Sequence, residues 1–145
     1  MFSKEQADEK VKGGWMRVWV AFEALAVDQE SVGAALSVLV SRMVADERMK
    51  VYQHTVGPSE RVENPMKGIA EGWSQTAEVE FVIKNFDDLV HIIMEYGPSA
   101  IELRAPSSVK LECNIVNSAL NGIADTMLRI ATMQYGGKLL LRDNK

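Results

Sequence analysis

From residue 16 to residue 105 the apolar residues of this chain switch back and forth between two spacings, and that alternation leaves few architectures open. Over residues 16–26, Met16, Val18, Val20, Phe22 and Ala24 share one side while Arg17, Trp19, Glu23 and Leu25 share the other, the period of a half-buried strand. After Asp28, a residue suited to an N-cap, Val32, Ala35, Leu36, Leu39, Val40, Met43 and Val44 recur every three or four positions. That spacing predicts an amphipathic helix ending near Asp46. MKVYQHTV at 49–56 reads as a second strand. Residues 57–72 gather three glycines and two prolines into a long connection in which no regular element is expected. Alternation returns from Trp73 to Ile83, with Ala77, Val79, Phe81 and Ile83 on one side and Glu78 and Glu80 on the other.

A second helix follows, with Asn85 or Asp87 as its cap, Phe86, Leu89, Val90, Ile93 and Met94 as its apolar stripe, and Gly97-Pro98 as its stop. AIELR then forms a brief fourth strand closed by Pro106, and helical spacing runs over 107–135 before Gly136-Gly137. The order β-α-β-β-α-β followed by a long helix is that of an α+β, ferredoxin-like plait, in which both short helices cover one face of an antiparallel sheet. The other face then carries Arg17, Trp19, Lys50, Tyr52, His54, Glu78, Glu80, Glu102 and Arg104, a mixture of charges and aromatics. Residues 1–14 carry more charge than apolar bulk and are expected to be a flexible lead, with 15–145 as one domain. KLLL, after the glycine pair, is a last apolar scrap with no assigned partner.

Within the last helix Val109, Cys113, Val116, Leu120, Ile123, Met127 and Ile130 alternate by four and three, the repeat of a helix-on-helix seam. Leu111, Ile115, Ala119, Ala124, Leu128 and Ala131 widen the apolar band beyond one stripe, so such a helix is expected to be buried on more than one side. In a chain of 145 residues a second subunit is the simplest cover. Val116, Leu120, Ile123, Met127 and Ile130 are therefore the candidate oligomer interface. The competing arrangement lays the helix over the chain's own open sheet face. In the first helix Gly33, Ser37, Ser41 and Ala45 recur every four residues and would allow close approach by another element.

No catalytic constellation is visible. The two histidines, His54 and His91, lack metal-ligand spacing, and GxGxxG, GxxxxGK[ST] and GxSxG are all missing from the sequence. No cofactor is expected. The single cysteine, Cys113, has no second thiol to pair with and no cation beside it, which suits a reducing, cytoplasmic setting. The N-terminal stretch is wrong for a secretory leader, and no segment is long and apolar enough to span a bilayer. A net charge of −4 and the carboxylates Glu78, Glu80 and Glu102 oppose a nucleic-acid partner. What remains as a candidate ligand surface is Trp19, Tyr52, His54, Glu80 and Arg104 on the mixed sheet face, together with Arg61, Lys67 and Trp73 in or next to the 57–72 connection.

The passage FDDLVHIIMEYGPSAIELRAPSSVKLE, a short helix ending in Gly, a strand ending in Ala-Pro and then a long helix, resembles the C-terminal extension domain of WYL-type bacterial transcription regulators. The resemblance implies a module that helps to assemble dimers and to sense ligands. ACT-like ferredoxin-fold regulatory domains offer a looser likeness of the same kind. The expectation is thus a non-enzymatic, self-associating regulatory domain that binds a small molecule or a protein. The alternative is a small plait enzyme that uses His54 and nearby carboxylates at a subunit interface.

Overall fold

The computed structural model describes residues 1–134; the KLLL segment and the expected glycine stop lie outside the described residues. Strand β1 (Met16–Ala26), helix α2 (Gln29–Ala45) and strand β2 (Met49–Val56) follow the expected bounds within a few residues. Before them stands helix α1 (Lys4–Lys12). After them come β3 (Glu60–Met66), β4 (Ile69–Ile83), α3 (Phe86–Tyr96), β5 (Ala100–Ala105) and α4 (Cys113–Gln134). Among the described residues the protein is therefore α+β, a five-stranded antiparallel sheet with four helices. The main path of pairing runs β2-β4-β1-β5, and β3 extends along β4 beside β2.

One face of this sheet builds the core. Met16, Val18, Val20 and Phe22 of β1 lie opposite Ile83, Phe81, Val79 and Ala77 of β4, and Met49 and Val51 of β2 continue the layer. Leu36, Val40 and Met43 of α2 and Leu89 and Ile92 of α3 seal it, so both crossover helices pack on the same face. Phe81 is fully buried at the centre. Truncating such a side chain to Ala costs about 3–5 kcal/mol. Asp28 caps α2 by accepting from the Ser31 backbone N–H at 2.7 Å, and Gly97 ends α3 with φ 63°, a left-handed position that glycine occupies without the clash a Cβ brings.

Two segments expected to be irregular are not. Residues 4–12, expected in a flexible lead, form a nine-residue helix with Ser3 and Gln6 in a reciprocal capping box. This helix packs Ala7, with Phe2, Val11 and Trp15 around it, on Tyr52 and Val82 at one end of the second sheet face. In the 57–72 connection the chain folds into a hairpin, β3 against β4, with Lys67 and Gly68 as its turn; φ of Gly68 is 85°. Gly72 is required at the hairpin's base, because a Cβ there would stand 2.7 Å from Pro65 Cγ and 3.0 Å from the Ala26 carbonyl oxygen. Gly57 bridges β2 and β3, donating its N–H to the Thr76 carbonyl at 2.9 Å while its own carbonyl accepts from Gln75 Nε2.

The last helix begins six residues later than the spacing suggests, with the Glu112 carbonyl accepting from the N–H groups of Ile115 and Val116. It does not lie over the open sheet face. Instead it runs alongside α3, where the pairs Ser118–Asp87 and Gly122–His91 set the two helices parallel.

Candidate functional site

On the second sheet face, beyond α1, a group of side chains meets around Trp19. Trp19 lies between Glu80 of β4 and Glu102 of β5 in the strand register. The strands β1 and β5 shift register at Arg17/Val18, and this irregularity lets Arg104 lean across the indole. Its guanidinium sits 5.3 Å from the Trp19 ring centroid, forms an ion pair with Glu80 and reaches Glu102 at 3.4 Å. Trp19 Nε1 donates to Glu78 Oε2 at 3.3 Å. Of the expected ligand surface, then, Trp19, Glu80 and Arg104 are brought together, with Glu78 and Glu102 as further members. The cluster holds one cation among three carboxylates over an aromatic plane, a surface suited to cationic or hydrogen-bonding partners rather than to phosphates.

The other expected members go elsewhere. Tyr52 is buried beneath α1, where Arg17 Nη1 donates to its hydroxyl at 2.9 Å and pairs on its other side with Asp8. The sequence pattern puts His54 on the same face as Glu80; the structure puts it on the opposite one. Between Val51 and Gln53 the register slips by one residue, so that Gln53 faces Glu80 while His54 falls in line with Val79 of the core face. A one-residue shift moves every later side chain to the other side. His54 accordingly lines a shallow groove of about 390 Å³ with Ser37, Val40, Ser41, Val44 and Val56, between α2 and β2. Arg61 and Trp73 are opposed in the β3–β4 hairpin, where Arg61 pairs with Glu71; Lys67 is exposed at its turn.

A second grouping, which the sequence did not disclose, ties α2, β2 and α3. Asp46, the C-cap of α2, accepts from Arg48 Nη2 at 2.6 Å and from the Tyr96 hydroxyl at 3.0 Å, and Arg48 continues to Glu95 at 2.7 Å. The hydrogen bonds from Arg48 hold the Asp46 carboxyl at about 2, against the partial burial that pushes the other way. These residues fasten the end of α3 to the α2–β2 turn, and no spacing rule in the sequence could have joined positions 46 and 96.

Helix α4 spends its small-residue face on α3. Ala119 is buried, and at Gly122 a Cβ would come within 3.0 Å of His91 Nε2, so the two helices approach closely there. Ser118 Oγ donates to Asp87 Oδ2 at 2.9 Å, and His91 Nδ1 lies 2.8 Å from the Asp87 carbonyl oxygen. The four-three stripe faces another way: Leu120 is 57 % exposed, Ile123 41 %, Met127 60 % and Ile130 44 %, with Val116 half-buried. The only charged pair on the helix, Asp125 with Arg129, closes on itself one turn apart. No grouping of three or more metal-ligating side chains occurs among the described residues. No helix there is long and apolar enough to cross a membrane.

Among the described residues the chain is thus an α+β fold with a mixed aromatic and charged sheet surface and an exposed apolar helix face. The family model that matches the chain is that of the MJ0538 family, over residues 17–143. The chain belongs to the MJ0538 family. The match brings no support to a likeness with WYL-type extensions or ACT-like domains, which rested on the order of elements alone. No match is found among the curated proteins or the solved structures.

Proposed function

We propose that this protein is a self-associating, non-enzymatic domain built on a ferredoxin-like plait, which binds a small ligand or a protein partner on its second sheet face. The strand order β2-β4-β1-β5 with both crossover helices on one side supports the plait reading; α1, β3 and α4 are additions to it. The observation that carries self-association is the division of labour on α4. Its small face is used against α3, while its large apolar side chains, set at the spacing of a helix seam, meet solvent. Large apolar side chains exposed side by side on one helix face commonly mark interaction sites. Light scattering of the intact chain over a concentration series tests the reading: a mass above 16.1 kDa is expected, and 16.1 kDa at every concentration would contradict it.

The ligand surface is the Trp19–Glu80–Arg104 cluster. In a chain with Trp15 and Trp73 changed to Phe, Trp19 fluorescence should respond to at least one member of a panel of small amines and guanidines, and not to nucleotides. Binding that survives Arg104→Ala and Trp19→Phe unchanged would move the ligand elsewhere. The alternative reading as a plait enzyme drew on His54 with nearby carboxylates. Since His54 and Glu80 occupy opposite faces, one chain offers that reading no cluster.

A further inference from the structure

If the chain self-associates as proposed, the seam of α4 itself indicates how a second copy meets it. Six residues of the helix form the stripe: Cys113, Val116, Leu120, Ile123, Met127 and Ile130. They are symmetric about the midpoint between Asn121 and Gly122. When two such helices run antiparallel across that point, Leu120 meets the partner's Ile123, Val116 meets the partner's Met127 and Cys113 meets the partner's Ile130. Each small side chain then faces a large one, so the layers are of even volume, as close packing demands. A parallel pair would instead stack like on like, thin at Cys113 and Val116 and thick at Met127.

Three further observations suit a like helix as the cover of this seam. First, α3 already occupies the flank of α4 that carries Ala119, Gly122 and Thr126, so a second copy reaches the helix from the seam and the opposite flank. Second, that opposite flank presents Asn117, Ala124, Leu128 and Ala131, all uncharged, which suits a like helix and offers nothing to attract a charged peptide. Third, Asp125 and Arg129 neutralise each other within the helix, so two copies meet without repulsion, and antiparallel helix dipoles add a small favourable term.

We infer that two copies of this chain join through α4 as an antiparallel, two-fold pair centred between Asn121 and Gly122. Cys113 provides the test, because its neighbour differs between the arrangements. In the antiparallel pair it lies beside the partner's Ile130, whereas in a parallel pair it lies beside the partner's Cys113. The intact chain and the variants Ile130→Cys and Ile130→Cys/Cys113→Ser are oxidised with copper phenanthroline at low concentration and resolved without reductant, with light scattering in parallel. Ile130 is 44 % exposed in the single chain, so its replacement leaves the core untouched. The expected result is a covalent dimer for Ile130→Cys alone. A covalent dimer of the intact chain through Cys113 would overturn the antiparallel arrangement. So would a dimeric mass with no cross-link in Ile130→Cys, although self-association would stand. A monomeric mass for all three would remove both readings.

Discussion

Single residues decide three features of this molecule that periodicity cannot see. His54 looks like a neighbour of Tyr52 and Glu80 when alternation is counted from residue 49, but the slip between Val51 and Gln53 reverses the count and sends it to the α2 side. A bulge of this kind has no sequence signature, so alternation alone assigns His54 to the wrong face. Asp46 is a second case. Its carboxyl sits at about 2, below an ordinary value of 3.8, so the stability it contributes is present above pH 4 and is lost as pH falls toward 2. Because Arg48 is partly exposed, the contribution is on the order of 1–2 kcal/mol. Asp46→Asn is expected to lower the urea midpoint at pH 7 and to flatten the change between pH 4 and pH 2; a variant that keeps the wild-type slope there would show that another carboxylate carries it. Gly122 is the third residue with a specific role. Gly122→Leu drives a side chain into His91 and should cost about 1–3 kcal/mol, released as faster proteolysis of α4.

At the level of elements, the sequence was legible where one face of a strand or helix is buried and silent where burial is slight. β1, α2, β2, the second half of β4, α3 and β5 follow from apolar spacing. Hairpin β3–β4 was hidden by Gly57, Pro58, Pro65, Gly68 and Gly72, residues that usually punctuate loops but here form a bridge, a packed pair and a turn. Hidden too was α1, because its stripe amounts to Ala7 and Val11; the signal that could have found it is Ser3 with Gln6 at capping-box spacing. Two changes test these assignments. Gly72→Ala should raise hydrogen exchange across 60–74 while the amides of residues 77–83 stay protected, since the clash is local to Pro65 and Ala26. Ala7→Glu keeps helix propensity but places a charge over Tyr52 and Val82; it should undock α1 and cost about 1–3 kcal/mol in thermal or urea unfolding.

For the molecule as a whole, the fold class and the presence of a terminal helix could be read from the order of periods, whereas the placement of that helix could not. Spacing shows that α4 has an apolar seam; only packing shows that α3 takes the adjacent small face and leaves the seam outside. The residues expected to form a ligand surface divide in the same way. Trp19, Glu80 and Arg104 converge because neighbouring strands bring them to one face, while Tyr52, His54 and the hairpin residues are separated by α1, by a register slip and by distance along β4. The Trp19 cluster lies on the sheet face away from α2 and α3, whereas α4 packs against α3. The most direct measurement is the solution mass of the intact chain beside a variant with Leu120→Glu and Met127→Glu. The account predicts a dimer for the first and a folded monomer for the second, with unchanged far-UV circular dichroism. An intact chain that is monomeric, or a variant that remains dimeric, would contradict it.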